Sequence, residues 1–329
     1  MLVHIGTYDE SGGQGLVSLK LTADGSLEVA DPYATARNAS FGVRRNGLVY
    51  LVDEQEEGAL GIHRKTDAGW ELLGCVSTGG EAPCYVALDE SGRRIAVANY
   101  ESGSVAAYAL GEQGLPSAPA VIFQNEGSGP NKERQEGPHA HCVRFHGGAL
   151  YVVDLGVDQV LRLELTDTGL GEASVAWTAP AGSGPRHLLF HPAQQHALLL
   201  CELAATLTLL RVGHLGFETV TTVPTAPADF TGDNLGGHLE LGSDGTRVYV
   251  SNRGHNSIAV FALEDGELSL LQRIDSGGDH PRHFALIGDK LIVAHEKDGR
   301  ISTFQMEQHG TLTPAGVGVT VPGACFVLT

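Results

Sequence analysis

Apolar and polar positions alternate in short runs along this chain, and one pattern recurs. An apolar stretch ends on a polar residue at Ile5-Gly6-Thr7-Tyr8, Leu51-Val52-Asp53-Glu54, Val97-Ala98-Asn99-Tyr100, Val152-Val153-Asp154-Leu155, Leu200-Cys201-Glu202-Leu203, Val250-Ser251-Asn252-Arg253 and Val293-Ala294-His295-Glu296. The third positions of these groups are 7, 53, 99, 154, 202, 252 and 295, so the repeat averages about 48 residues. Seven units of that length match the size of a propeller blade. Residues 236 to 275 show the inside of a unit. Gly237 to Leu241 alternates, Ser243-Asp244-Gly245-Thr246 turns, and Arg247 to Asn252 alternates again. Arg253 to Ser257 is a loop, Ile258 to Leu263 a strand, Glu264-Asp265-Gly266-Glu267 a turn, and Leu268 to Ile274 the fourth strand. Turn chemistry between alternating runs predicts antiparallel hairpins. The same turns stand at Asp24-Gly25, Ser91-Gly92, Thr168-Gly169 and His309-Gly310.

One segment points elsewhere. Ala193 to Val212 is rich in Ala and Leu and lacks Gly and Pro, a composition that favours helix. Its place in the repeat coincides with strands two and three of the other units, and the repeat predicts strands. The first unit looks incomplete at its start, and the chain also carries an apolar segment at Cys325-Phe326-Val327-Leu328. An unpaired strand edge is a liability, so Leu2 to Tyr8 is expected to share a blade with the C-terminal strands. The expected fold is therefore all-β. It is a single domain over 1–329, a seven-bladed β-propeller of four-stranded antiparallel blades, its ring closed by N- and C-terminal strands in one blade. Gln124 to Pro138 is polar and reads as a loop over one face.

Composition narrows the function. The 329 residues include 44 Gly without a G-X-Y period, and 39 acidic against 21 basic side chains give a net charge of −18. Such a charge argues against nucleic acid and against an anionic membrane surface. It leaves room for a small anionic ligand held by a local basic cluster. Met1 to Tyr8 lacks the features of a signal peptide, and Ala197 to Leu210, interrupted by Glu202, is too short to span a bilayer. Five scattered cysteines, Cys75, Cys84, Cys142, Cys201 and Cys325, suit reduced, mostly buried thiols in the cytoplasm. Phosphate-loop, nucleophile-elbow and zinc-site spacings are missing from the sequence.

The chemistry collects at the entrance of each unit's first strand. Aligning these entrances gives one column of Cys84, His141, Arg186, Gly237 and Arg282, and a second of Tyr85, Cys142, His187, His238 and His283. Innermost strands line a propeller channel. The start of strand one and the end of strand two lie at the same edge of a hairpin. His139, His141, Arg186, Glu202, Arg253 and Arg282 are therefore expected around one mouth. Arginine offers a rigid fork for carboxylate or phosphate, so this mouth predicts an anionic substrate. Structural roles compete: strand-start histidines can cap, and Glu202 in an apolar run can form an ion pair with an arginine of the next blade. Asp154 reads as a turn former. Neighbouring arginines disfavour a metal at His139 and His141, and no cofactor is expected.

Several motifs taken together resemble the seven-bladed propeller lactonases, a family with bacterial 6-phosphogluconolactonases and fungal carboxymuconate-lactonizing enzymes. They are Gly127-Ser128-Gly129-Pro130-Asn131, Pro138-His139-Ala140-His141, Asp154-Leu155-Gly156-Val157-Asp158, Gly184-Pro185-Arg186-His187, Glu202-Leu203 and Ser251-Asn252-Arg253-Gly254-His255-Asn256. The resemblance implies hydrolysis of a sugar lactone, with 6-phospho-D-glucono-1,5-lactone the expected substrate. It implies that His139 or His141 activates water, and that Glu202 orients that base or shares its proton. Arg186 and Arg253 hold charge, with Arg282, His187, His238 and His283 at the substrate. His238 stands where the family commonly has Glu, and His295 where it commonly has Asn. A muconate-type cycloisomerase, a lactonase for another acidic sugar and a non-catalytic binding scaffold are the alternatives.

Overall fold

The turn residues at the expected places separate strands throughout. The computed structural model describes residues 1–117, 120–167 and 169–329. Within them lie seven four-stranded antiparallel sheets, the blades of the expected propeller, and one short 3-10 turn at Asp9–Ser11. Six blades use four consecutive strands each, over residues 42–77, 83–124, 140–178, 185–224, 235–275 and 281–320. The remaining blade is composite. Ala324–Leu328 pairs antiparallel with Leu2–Thr7, followed by Leu16–Leu21 and Leu27–Tyr33. Ile5 faces Val327 and Gly6 faces Phe326, so the expected joining of terminal strands is present. Of the predicted Thr168-Gly169 turn, Thr168 lies outside the described residues.

The segment with helical composition is strand. His196–Cys201 and Thr206–Val212 pair antiparallel, with Leu198 opposite Leu209 and Leu200 opposite Leu207. Packing overrides propensity there: Leu198, Leu200, Leu207 and Leu209 are completely buried against Leu239, Val248, Val250 and Phe261 of the following blade.

Two compact units divide the chain. The first comprises residues 1–37, 189–212 and 218–329. Its cores are apolar layers between successive sheets. One joins Val3, Ile5 and Leu19 to Ile292 and Ile301, and another joins Tyr249 and Val260 to Phe284 and Val293. The second unit comprises residues 38–188 and 213–217. Leu60, Ile62, Val86, Val97, Val143 and Val152 are buried there on period-two strands. Cys84, Cys142, Cys201 and Cys325 are buried and Cys75 is exposed, and among the described residues none of the five is in a disulfide.

His63, on the strand Ala59–Thr66 of the second unit, is a buried imidazole that burial pushes down to about 4. An added Cβ on Gly61 would run into its Nε2, so the neighbouring glycine makes room for the ring. The unfolded chain titrates this group near the ordinary value of about 6.5 and so binds more protons than the fold between pH ~6.5 and ~4. Stability is expected to fall through that window as the pH is lowered, by up to about 3 kcal/mol, with no contribution above it. Urea unfolding of wild type and His63→Leu at pH 7 and pH 5 checks this: the substitution should shrink the difference between the two pH values.

Candidate active site

A repeated irregularity shapes the blade entrances. In the sheet over 83–124, Pro83 faces Asn99 and Tyr85 faces Ala98, which leaves Cys84 as an extra residue. In the sheet over 140–178, Ala140 faces Asp154 and Cys142 faces Val153, leaving His141 extra. In the sheet over 281–320, Pro281 faces His295 and His283 faces Ala294, leaving Arg282 extra. Gly237 and His238 together oppose Ser251 in the same way. A bulge re-aims one side chain out of the alternation, so the column of Cys84, His141, Gly237 and Arg282 is a column of bulges. Gly237 must be glycine, because a Cβ there would meet the Ser251 hydroxyl and the Pro281 carbonyl.

In the second unit the bulge places His141 against Arg186. Arg186 Nη1 donates to His141 Nε2, and Cys84 Sγ lies 3.8 Å from His141 Nδ1. A guanidinium only donates, so Nε2 accepts and the ring proton sits on Nδ1. Both side chains are buried. Tyr100 and His187 meet the His141 ring edge-on, at 5.4 and 5.5 Å between centroids. His139 is held differently. Its Nδ1 is 2.9 Å from the Tyr100 carbonyl, its Nε2 is 3.0 Å from Glu136 Oε1, and its ring stacks on Tyr100 at 4.5 Å. Both ring nitrogens of His139 thus face acceptors. Asp154 accepts from the backbone N–H groups of His139, Gly156 and Val157 and from the Asn125 amide. It folds the turn at residues 155–158, as its place in the sequence suggested, and ties the His139 backbone to it, and burial raises its carboxyl despite those bonds.

In the first unit Glu202 and Arg253 form a buried ion pair. Arg253 Nη2 donates to Glu202 Oε2 at 2.8 Å and to the Gly236 carbonyl at 2.9 Å, while its Nε is buried without a partner. Taking two charges from water is compensated only by such geometry. Arg282 is held by Glu296 at 3.2 Å and lies over the Tyr8 ring. His238 and His283 stack at 3.8 Å, His238 lies 3.7 Å from Glu240, and His283 meets Phe326 edge-on.

His295 is completely buried. Its Nδ1 is 2.7 Å from the Arg300 carbonyl and its Nε2 is 3.1 Å from Ser276 Oγ. Asn252 has the equivalent role in the preceding blade, donating to the Thr225 carbonyl and to Ser257 Oγ. Histidine here ties the blade's loop together as asparagine does elsewhere.

The predicted residues thus fall into separate polar contacts: His139 and His141 against Tyr100, with Arg186 and His187 against His141, in the second unit, and buried Glu202 with Arg253, buried His238 with His283 and half-buried Arg282 with Glu296 in the first. Sequence reasoning missed Tyr100 and Glu136, the partners that hold His139. Tyr100 could have been found from its place immediately after a strand-two end.

The bladed all-β fold is that of a β-propeller, with a buried arginine set against histidine at one place and against a carboxylate at another. The chain belongs to the seven-bladed β-propeller lactonase family, whose model matches residues 2–329, and it is a lactonase. It is 31% identical to the 6-phosphogluconolactonase of Bacillus subtilis, over 97% of this chain and 96% of that protein. A crystal structure of a Lactobacillus plantarum protein superposes with a TM-score of 0.91 at 31% identity, covering 99% of this chain and 98% of that one. The periplasmic gluconolactonase of Pseudomonas aeruginosa gives a TM-score of 0.91 at 26% identity, covering 100% and 99%. Among the described residues no helix is long and apolar enough to cross a membrane.

Proposed function

We propose that the protein hydrolyses 6-phospho-D-glucono-1,5-lactone to 6-phosphogluconate, with His141 as the base. The observation that carries this reading is the buried Arg186–His141 contact. The Nε2 lone pair that would take a proton is held by the same guanidinium that would bind an oxyanion. A substrate oxygen that takes the Arg186 fork releases that lone pair. Water then attacks the lactone carbonyl carbon, a carbon–oxygen bond forms, and the water's proton passes to Nε2. The carbonyl oxygen becomes an oxyanion against Arg186. Collapse restores the carbonyl, breaks the bond to the ring oxygen and returns the proton to that oxygen. The acid formed loses its own proton to solvent.

Arg253, oriented by Glu202, is assigned to the phosphate tail, and Arg282, His187, His238 and His283 to the polyol. His139, with both ring nitrogens facing acceptors, is assigned to positioning Tyr100. The 6-phosphogluconolactonase name of the Bacillus relative supports the phosphorylated substrate. The family model's span supports reading residues 1–329 as one domain. Buried cysteines outside any disulfide support a reducing compartment, the cytoplasm. Nucleic acid and membrane partners do not enter this reading.

The test is steady-state hydrolysis of the phosphorylated lactone and of glucono-1,5-lactone by purified protein, at a pH where spontaneous opening is slow. Turnover of the phosphorylated lactone, unchanged by EDTA because arginine supplies the positive charge, is expected. Failure to open either lactone would reject the assignment.

A further inference from the structure

His280 occupies the same place at its blade entrance that Ala82 and His139 occupy at theirs. The carbonyl of each accepts from the residue that follows the end of strand two: Tyr100 donates to Ala82, Leu155 to His139 and Glu296 to His280. The fold asks for little side chain there. Ala82 has φ +50°, and Gly184, which precedes Pro185 and Arg186 as His280 precedes Pro281 and Arg282, has φ +60°. His280 itself has φ +66°, the left-handed region that costs a residue with a Cβ. Its counterpart His139 has both ring nitrogens engaged, whereas Nδ1 of His280 is buried without a hydrogen-bond partner. The nearest carboxylate, Asp279 Oδ1, is 3.9 Å away and is itself taken by the Asn256 amide.

The same loop carries Arg253. One oxygen, Asn256 Oδ1, accepts from the backbone N–H of both Gly254 and His280, so the residue after Arg253 and His280 are held by a single side chain. Arg253 also keeps a buried Nε without a partner. Two unspent polar atoms on adjoining backbone, one of them on a strained residue, are what a ligand site stores. We propose that His280 is a substrate-contacting residue of the lactonase, its Nδ1 accepting a hydrogen bond from a hydroxyl of the polyhydroxylated lactone whose anionic end is bound by Arg253. The groups facing it are Arg253, Lys297, Glu296 and Asp279. Burial first and then the Arg253 charge lower the imidazole's proton affinity, which keeps an acceptor lone pair at neutral pH.

This assignment rests on the lactonase reading, and the experiment separates the two. His280→Gly removes the ring and suits the left-handed backbone, and His280→Asn tolerates that backbone with a shorter polar group. Both lactones are assayed with wild type and both variants, thermal midpoints are recorded, and the imidazole nitrogens are followed by NMR as 6-phosphogluconate is added to wild type. The expected result is a kcat/KM lowered about tenfold or more in His280→Gly, the size of one lost hydrogen bond. Its thermal midpoint should be equal to or above that of wild type, and the His280 Nδ1 resonance should move with product. A packing residue would behave the other way, with a lowered midpoint and unchanged kcat/KM, and that outcome overturns the proposal. An unmoved Nδ1 resonance at saturating product overturns it as well. A wild type that opens neither lactone rejects the lactone reading, whereas an active wild type matched by His280→Gly rejects only His280.

Discussion

His141→Ala is expected to lower kcat for lactone opening by about 10²–10⁴-fold, the usual span for losing a general base, with a far smaller change in KM. His141 stands on a bulge that lifts it out of the strand's alternation, and its proton sits on Nδ1 because Arg186 faces Nε2. The lone pair is thus fixed in direction before substrate arrives. Arg186→Lys keeps the charge and loses the fork, so it should also slow the reaction strongly. His139→Ala should loosen Tyr100 and reduce the rate less than His141→Ala. His196→Ala, at a half-exposed strand start of the blade over 185–224, serves as the control and should keep wild-type rates. Steady-state rates on folded variants decide the matter, and a wild-type kcat in His141→Ala would remove it from the mechanism.

Glu202→Ala should cost about 3–5 kcal/mol of stability, because it strands the Arg253 guanidinium in a buried site. The pair is 2.8 Å apart and almost completely buried on both sides. Replacing both partners by apolar groups of similar volume, Glu202→Leu with Arg253→Met, should recover most of the loss, since neither charge is then left alone. The same double variant should remain a poor enzyme. Arg253→Ala should impair the phosphorylated lactone more than glucono-1,5-lactone, as expected of a group that binds the tail. Urea unfolding of the two single variants and the double variant, with rates on both lactones, separates the structural contribution of the pair from its chemical one. Equal stability of Glu202→Ala and wild type would show that the buried pair is not balanced as described.

The fold was legible because its signals are local and repeated. Hairpin turns such as Ser243-Asp244-Gly245-Thr246 and the apolar runs before Asn99, Asp154 and Asn252 depend on neighbours within a few residues. Seven copies also outweighed the helical composition of Ala193 to Val212. The candidate site was legible as a column, since Cys84, His141, Gly237 and Arg282 each stand at a corresponding bulge in their own sheet. The pairing within that column was not. The Arg186 contact with His141 joins residues 45 apart, and the Glu202 contact with Arg253 joins residues 51 apart, across separate blades. His280 was hidden for another reason: its backbone angle and its unpaired Nδ1 exist only once the entrance turn is built.

The composite blade has a consequence in time. Leu2–Thr7 leaves the ribosome well before its partner Ala324–Leu328, which is made more than 300 residues later. At roughly 5–20 residues per second, that edge waits on the order of tens of seconds. During synthesis the first strand can hold Leu16–Leu21 on one side only, with unpaired backbone groups on the other. The nascent chain therefore carries an open template that any extended segment could join, until its own C-terminal strand arrives to occupy it.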